Sequence, residues 1–511
     1  MGAEQLLVSE GEVRFSRQRR LSGLLAAPLV ALLVLLVVPQ NLKPEAARML
    51  ALLFGTLTLW LTEAIPIPMT AVLAPALAVL LGIAPAERLF ASFGHPLLFL
   101  FLGAFVIAQA AERTRLDRVL AARLFPAEES SAEKILISTT LVTAGISSLF
   151  SNAATTAMMV PVIRAAVSRF GPKAQSMGIL TAAFASSLGG VLTPIGTPPN
   201  LLAIAALTQY AHKHVPFFSW TLVALPMAVT TLTVWILMLL LTLRTERKRL
   251  YSAGKPLTAE ALATEPLNLR AGPTLLWGLD QGQAGTLLVI ALAATGWMLP
   301  GVLELSLGEQ NPQYLWAKTH LPEGVVAILA ASLLFVLPAA TRVVAGMPRP
   351  RPVLVWHEAA QIDWGTLLLF GGGLALGEQV FSTGLSTWIG DLVLHATQVK
   401  SEWGLVVLFS TISVLLSELT SNTATAAMTC PLAVMTAQQL GVSPVAPCIA
   451  AGLASSMGFL LPISTAPNAI VYGTGQVPLR TMLKNGIWLD LTGLLVIPPS
   501  VMLMTHLIGL R

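Results

Sequence analysis

Charge is scarce in this chain. Lys, Arg, Asp and Glu make up 11% of its 511 residues, where a soluble domain carries about 25%, so a water-solvated globule of this length is excluded. Cysteine is nearly absent, and Cys430 and Cys448 both fall in apolar surroundings. That argues against a disulfide framework and against a thiol metal site. The seven histidines are scattered, none paired at metal spacing, so zinc and copper have no ligand set. His357 and His395 are expected at the surface or in loops. No Ser/His/Asp constellation and no intramembrane Asp pair reads as catalytic, and an enzyme is not expected. The net charge of +5 comes from Lys and Arg clustered at alternate ends of apolar segments, which is a topology signal rather than a face for nucleic acid.

Apolar length is what the chain has instead. Hydrophobic residues make up 55%, the mean hydropathy is +0.76, and apolar runs of about 20 residues recur along nearly the whole sequence. The expected fold is an all-α polytopic membrane protein. Arg17-Gln18-Arg19-Arg20 precedes a first span at 21–38, read as a retained helix with a cytoplasmic N-terminus because no small-residue cleavage site precedes Pro39. Spans follow at 47–65, 66–83 and 96–111, and the basic stretch Glu112 to Leu124 suits an amphipathic helix on the membrane surface. The apolar segment 133–168 turns polar from Ser147 to Thr156, with arms of half a membrane thickness, as in a re-entrant hairpin. A helix over 174–207 is broken at Thr193 to Asn200, and a span over 217–243 leads into a basic linker, 244–283. Spans at 284–299 and 324–337 enclose an outside loop with Glu304 and Glu309, and the basic loop Arg342 to Arg351 returns inside. The rest reads as a span at 364–381, a helix at 386–400, a hairpin at 404–438, a broken helix at 442–472 and a last span at 487–508. The sum is about 11 transmembrane helices plus two re-entrant hairpins.

The halves repeat. Ser151-Asn152 and Ser421-Asn422 are 270 residues apart (421 − 151), and Asn200 and Asn468 are 268 apart (468 − 200). Five passes and a hairpin separate the repeat starts, so the second copy begins on the opposite side and the repeat has inverted topology. The expected division is an N-terminal segment 1–44, a first repeat 45–243, the cytoplasmic linker 244–283 and a second repeat 284–511.

Half-helices that meet at Ser-Asn inside the membrane present unpaired N–H groups on one side and free carbonyls on the other, suited to an anion and a cation respectively. Pro194, Pro198, Pro199, Pro462 and Pro467 break the neighbouring helices and supply the same pair of ends again. One Asn amide carries an acceptor oxygen for a cation and a donor NH₂ for a carboxylate. Ser147 and Ser417, each four residues before its Ser-Asn, add hydroxyls on the same face. Oxygen ligands of this kind fit an alkali cation.

On these residues the chain resembles the divalent anion/sodium symporter family of dicarboxylate, citrate and sulfate transporters. The resemblance runs from about residue 45 to the end. It is carried by Thr62-Glu63-Ala64-Ile65-Pro66-Ile67-Pro68-Met69-Thr70-Ala71, by the two Ser-Asn motifs, by Gly196-Thr197-Pro198-Pro199-Asn200 and by Ser455 through Val471. It implies a homodimer with a fixed scaffold and a moving transport domain, working as an elevator. Its sodium sites would map to Ser147, Ser151, Asn152 and Gly196, and to Ser417, Ser421, Asn422 and Ser464 to Ala466. The anion site would take Asn152, Ala153, Thr197 and Pro198 from the first half and Ser421, Asn422, Thr423 and Thr465 from the second. Sodium is the only ion or cofactor expected, membrane lipid the surroundings, and a bacterial inner (plasma) membrane the location. Dicarboxylate members read Ser-Asn-Thr in both hairpins, whereas Ala153 stands here in the first. A missing donor to a buried carboxylate costs about 1.5–3 kcal/mol.

The expected activity is secondary active transport: sodium influx drives uptake of a small divalent anion, a dicarboxylate such as succinate or malate, held between Asn152 and Asn422. A sodium-independent anion exchanger of the same fold, a symporter of sulfate or another oxyanion, and a membrane anion sensor are the alternatives. Glu418 inside the second hairpin reads equally as a functional group or as a structural hydrogen-bond acceptor. Glu63 and Glu378 are expected to pair with neighbours, and Gly371-Gly372-Gly373 with Gly377 to pack helices closely.

Overall fold

The computed structural model describes residues 10–38, 42–116, 119, 132–167, 172–246, 279–308, 310–344, 347–462 and 464–510. Among them, every backbone polar group in an apolar run is satisfied most directly by its own helix. The first five helices are α1 (Glu10–Val37), α2 (Pro44–Thr62), α3 (Ile67–Leu80), α4 (Ala86–Ala91) and α5 (Pro96–Thr114). Pro44, Pro68 and Pro96 fall within the first two positions of their helices, where the missing N–H breaks no helix bond. The break expected after the second span is present: Glu63 ends α2 with a left-handed φ of 46°, and its carboxylate accepts from Arg19 of α1.

The first expected hairpin is α6 (Ala132–Ser147) with α7 (Asn152–Val167), and the first broken helix is α8 (Pro172–Gly190) with α9 (Pro198–Ala211). After α10 (Phe217–Glu246) come α11 (Gln281–Leu307), α12 (Pro312–His320), α13 (Glu323–Leu333), strands β1 (Pro338–Val344) and β2 (Met347–Pro352), then α14 (Trp356–Ala359), α15 (Trp364–Ser382) and α16 (Leu385–Thr397). The second hairpin is α17 (Glu402–Leu419) with α18 (Asn422–Leu440). The second broken helix is α19 (Val445–Ala454) with α20 (Ala466–Gly473), and α21 (Leu479–Leu507) follows.

Among the described residues six helices, α1, α5, α10, α11, α17 and α21, are long and apolar enough to cross a membrane, and α3, α13 and α19 are shorter apolar helices. Leu25, Leu29 and Leu36 of α1 are more than half exposed, a surface that hydrocarbon rather than water accommodates. The remaining expected spans are α2, α15 and the two broken helices.

Three local expectations need correction or restriction. The basic loop Arg342 to Arg351 forms an antiparallel ribbon, with Arg342 opposite Arg349 and Val343 opposite Pro348. Pro348, Pro350 and Pro352 alternate with residues that keep their N–H, so one edge of β2 can pair and the other needs no donor. Glu304 belongs to the last turns of α11 rather than to a loop. The amphipathic stretch begins as the end of α5, which Arg115 terminates at φ 56°, while 117–118 and 120–124 lie outside the described residues, as do Glu309, 1–9 and most of the linker, 247–278.

The hairpins pack on the broken helices: α8 lies against α6 and α7, and α19 against α17 and α18. The halves also interlock, with α9 against α18 and α20 against both α7 and α8. On the other side α5 lies along α13 and α11, and α3 along α15. Buried Glu358 accepts from both Arg113 and Arg351, which ties α5 to β2 and α14, and Glu378 pairs with Arg88 at 2.9 Å. Glycine permits the closest approaches: a methyl on Gly372 would stand 2.0 Å from Ala71 O, and one on Gly189 2.1 Å from Ala144 O.

Glycine contacts of this kind predict opposite outcomes for two nearby substitutions. Gly189→Ala drives a methyl into the α6 backbone and should lower the thermal unfolding midpoint of the purified protein. Gly145→Ala meets nothing within 4 Å and should leave the midpoint unchanged or raise it, by the equivalent of about 0.5–1 kcal/mol of helix propensity.

Candidate functional site

Both hairpin tips are built from the same bond. Ser147 Oγ donates to Asn152 Oδ1 at 2.8 Å, and Ser417 Oγ donates to Asn422 Oδ1 at 2.7 Å. The serine is the last turn of one half-helix and the asparagine the first residue of the next, so the bond closes the tip where the backbone ladder stops. Ser417 Oγ also lies 2.7 Å from Ser455 O, so its one proton serves two acceptors. Ser421 caps α18, its hydroxyl accepting from Ala424 N at 3.2 Å.

Both breaks are likewise closed by one residue type. Asn200 Nδ2 donates to Gly190 O at 3.0 Å and Thr193 O at 2.8 Å, and Asn468 Nδ2 to Gly458 O at 2.9 Å and Leu461 O at 3.0 Å. The steps of ten and seven residues are the same in each half. Gly190 is the last residue of α8, while Thr193, Gly458 and Leu461 lie in the non-helical breaks, and a side-chain NH₂ stands in for the helix donors that the prolines remove. Both asparagines are fully buried, and neither Oδ1 meets a donor among the described residues.

Glycine lets tip and break touch. A Cβ on Gly190 would fall 2.3 Å from Asn152 Oδ1, and one on Gly458 would fall 3.1 Å from Asn422 Oδ1 and 3.0 Å from Ser417 Oγ. In the second half a carboxylate adds to the closure: Glu418 accepts from Phe459 N at 2.7 Å, Leu460 N at 2.9 Å and Leu461 N at 3.3 Å. Glu418 thus makes the backbone hydrogen bonds that its structural reading expects. In the first half the corresponding closure is neutral, with Thr193 Oγ1 donating to Ser148 O.

One cavity of about 370 Å³ opens among these elements, within the size range of small-molecule sites. The first residues of four helices line it: Asn152, Ala153 and Thr155 of α7, Pro198 of α9, Asn422 and Thr423 of α18, and Ala466 and Pro467 of α20. Ser151, Gly196, Thr197, Ser421, Ser464 and Thr465 line it as well. Every residue expected at the anion site thus borders one space, Ala153 and Thr423 included. Ser147 and Ser417 do not; they are fully buried behind the tips, bonded to the asparagines. Four N-termini directed at one volume make it favourable for negative charge.

Sequence reasoning missed part of the lining. Gln109 and Glu112 of α5, with Gln361, Ile362 and Asp363 just before α15, also border the cavity. Asp363 also caps α15, accepting from Thr366 N at 3.1 Å. Their separation of some 250 residues gives no local pattern to read. Asp490 of α21 was missed too, although a lone Asp within an apolar helix is itself a signal; the residue is buried, and neither carboxyl oxygen has a hydrogen-bond partner among the described residues.

The chain matches the citrate transporter family over residues 57–399 and 396–507. It is 30% identical over 494 residues to the sodium-dependent dicarboxylate transporter SdcS of Staphylococcus saprophyticus, covering 94% of this chain and 90% of that protein. The same-named protein of Staphylococcus aureus is 31% identical over 498 residues, with the same coverage. Among solved structures, the crystal structure of the Alcanivorax borkumensis YdaH transporter superposes with a TM-score of 0.51 over 82% of this chain and 87% of that one, at 14% identity, a likeness of fold alone.

Asn200→Ala and Asn468→Ala each strip two buried carbonyls of their donor. Each should lower stability by about 2–6 kcal/mol, at about 1–3 kcal/mol for each buried group left unsatisfied, and by similar amounts because the two networks match bond for bond. Thermal unfolding in detergent measures this; a large loss in one variant with none in the other would show that only one break relies on its asparagine.

Proposed function

Because the chain belongs to the citrate transporter family, we propose that it is a secondary active transporter in which sodium influx drives uptake of a small dicarboxylate such as succinate or malate. The observation that carries this reading is the convergence of four helix N-termini and two Ser–Asn pairs on one cavity. The printed names of the two staphylococcal relatives, sodium-dependent dicarboxylate transporters, support both the cation and the anion.

Asn152 and Asn422 present NH₂ donors to the carboxylates of the substrate, and Thr423 adds a hydroxyl that Ala153 does not. The dicarboxylate is therefore held more firmly at its α18 end. Sodium, the co-transported substrate, takes oxygen atoms of Ser147, Ser151, Asn152 and Gly196 at one tip and of Ser417, Ser421, Asn422, Ser464 and Ala466 at the other. These are hard neutral oxygens, which suit an alkali cation. Each asparagine serves both ions, its Oδ1 on the cation side and its Nδ2 on the anion side, so the two bind together.

Glu112 and Asp363, which also border the cavity, raise the electrostatic cost of a dianion arriving without cations. Uncompensated charge costs about 2.5 kcal/mol or more at the centre of a bilayer, so the fully loaded or empty carrier crosses readily and the half-loaded one does not. The moving body in this reading comprises the hairpins and broken helices of two inverted repeats, 45–243 and 284–511, working as an elevator against a scaffold in a homodimer. The chain carries substrate rather than converting it. Its setting is a bacterial plasma membrane, with the N-terminus in the cytoplasm.

Proteoliposome uptake of labelled succinate tests the reading. An inward sodium gradient should drive accumulation, and choline in its place should abolish it. Asn152→Ala and Asn422→Ala should each cut the rate at least about tenfold, the effect of losing one hydrogen bond worth about 1.4 kcal/mol, while the protein still assembles. Wild-type rates in either variant would remove that asparagine from the site, and uptake that ignores sodium but needs internal anion would replace symport with exchange.

A further inference from the structure

A second cavity, of about 660 Å³, lies between α1, α2 and α3 and shares no lining residue with the candidate site. Its lining runs from Leu24 to Leu35 on α1, from Arg48 to Leu59 on α2 and from Thr70 to Leu81 along and just past α3. That is eleven residue steps on each (35 − 24, 59 − 48, 81 − 70). At about 1.5 Å per residue the groove is some 16 Å long, about half of the roughly 30 Å hydrocarbon core and so the depth of one leaflet.

The groove exists because α2 packs on both neighbours while α1 and α3 do not pack along each other. Small residues hold α1 against α2: a Cβ on Gly23 would fall 2.1 Å from Thr62 Oγ1, and one on Gly55 would fall 3.5 Å from Ala27 O and Ala31 Cβ. On its other side α3 lies along α15. Apart from Arg48, Thr56 and Thr70 the lining is apolar, and Thr56 returns its hydroxyl to Leu52 O. Water has too few partners to be held there. An empty space would forfeit the packing contacts of its walls, so hydrocarbon fills it. Lipid tails are as apolar as these walls, so filling the groove favours no one lipid over another. Selection comes from the charge at its end.

Arg48 supplies that charge. It is half-buried in the first turns of α2, level with the end of α3, where its guanidinium donates to Leu81 O and, through Nε, to Pro44 O at 3.3 Å. Arg19, Arg88, Arg113 and Arg351 each pair with a carboxylate. No carboxylate pairs with Arg48 among the described residues, Glu45 one turn away included. A guanidinium has five N–H donors, so donors remain for an oxyanion, and phosphate matches their planar fork.

We propose that this groove binds one anionic phospholipid, with its phosphate on Arg48 and one acyl chain lying between α1, α2 and α3. The bilayer supplies the chain, and the uncompensated charge at the end of the groove selects the head group. The site rests on the membrane setting of the chain and not on which ions it carries.

Native mass spectrometry of the purified full chain, with dioleoyl phosphatidylglycerol or zwitterionic dioleoyl phosphatidylcholine added, tests the proposal. The wild type should hold one phosphatidylglycerol per chain at least about tenfold more tightly than phosphatidylcholine, the effect of one charged hydrogen bond. Arg48→Gln should bind the two lipids equally, and Arg48→Lys should keep the preference. Leu73 lines the groove, so Leu73→Trp should fill it and lose the bound phosphatidylglycerol with Arg48 intact. Phosphatidylglycerol should raise the thermal unfolding midpoint of the wild type and leave that of Leu73→Trp unmoved. If Arg48→Gln fails to assemble, Leu73→Trp decides: phosphatidylglycerol held there as tightly as in the wild type overturns the proposal. Equal binding of both lipids by the wild type, or a preference that survives in Arg48→Gln, also overturns it. So does a disulfide between two Leu32→Cys chains in phosphatidylglycerol membranes, which would make the groove an interface between copies of the chain.

Discussion

A helix that stops inside a bilayer leaves carbonyl and amide groups that no water reaches, and the rest of this structure follows from how they are satisfied. Four helices start at the cavity, and α6 and α8 end beside it. The ends are closed by few side chains: two serines on two asparagines at the tips, and two more asparagines spanning the breaks. Every bond in that set leaves something over. The tip asparagines keep an NH₂ beside the cavity, and the break asparagines keep an acceptor oxygen without a donor. In the proposed reading, atoms that hold the irregular backbone together are also the ones that bind ions, which would couple stability to binding at this site.

The two halves solve the same problem with different margins. Neutral groups close the first break, through Thr193 and Ser148, while the second uses the Glu418 carboxylate. The first tip ends in Ala153 and the second in Thr423, and both residues border the cavity. Second-half residues therefore supply both the extra hydroxyl at the cavity and the acidic side chain that closes the break behind it. In a two-fold arrangement this gives the cavity a preferred end.

The places where helices break were legible in the sequence because local chemistry marks them, whereas the hairpin arms, expected at half a membrane thickness, are 16 to 19 residues long. Proline removes a helix donor, and Ser-Asn and Thr-Pro-Pro-Asn interrupt apolar runs at fixed spacing; the expected interruption at 147–156 contains the observed one, 148–151, and that at 193–200 overlaps the observed 191–197 but starts two residues late. Residues joined only by folding were not legible. Gln109 and Gln361 meet the cavity from distant parts of the chain, with no periodicity to connect them. The β-ribbon was missed for another reason: alternating proline and arginine in 347–352 resembles a polar loop, and the pairing depends on the strand opposite. Ser147 and Ser417 were expected as ligands from helical spacing and from the family resemblance, and neither reveals that each already donates to its asparagine.

Joint binding of cation and anion through shared asparagines is the central claim, and calorimetric titration of succinate into the purified protein tests it most directly. In sodium the account predicts saturable binding that tightens as sodium rises, with sodium affinity raised by succinate by the same factor; in choline it predicts none. Equal succinate affinity in sodium and choline would contradict it.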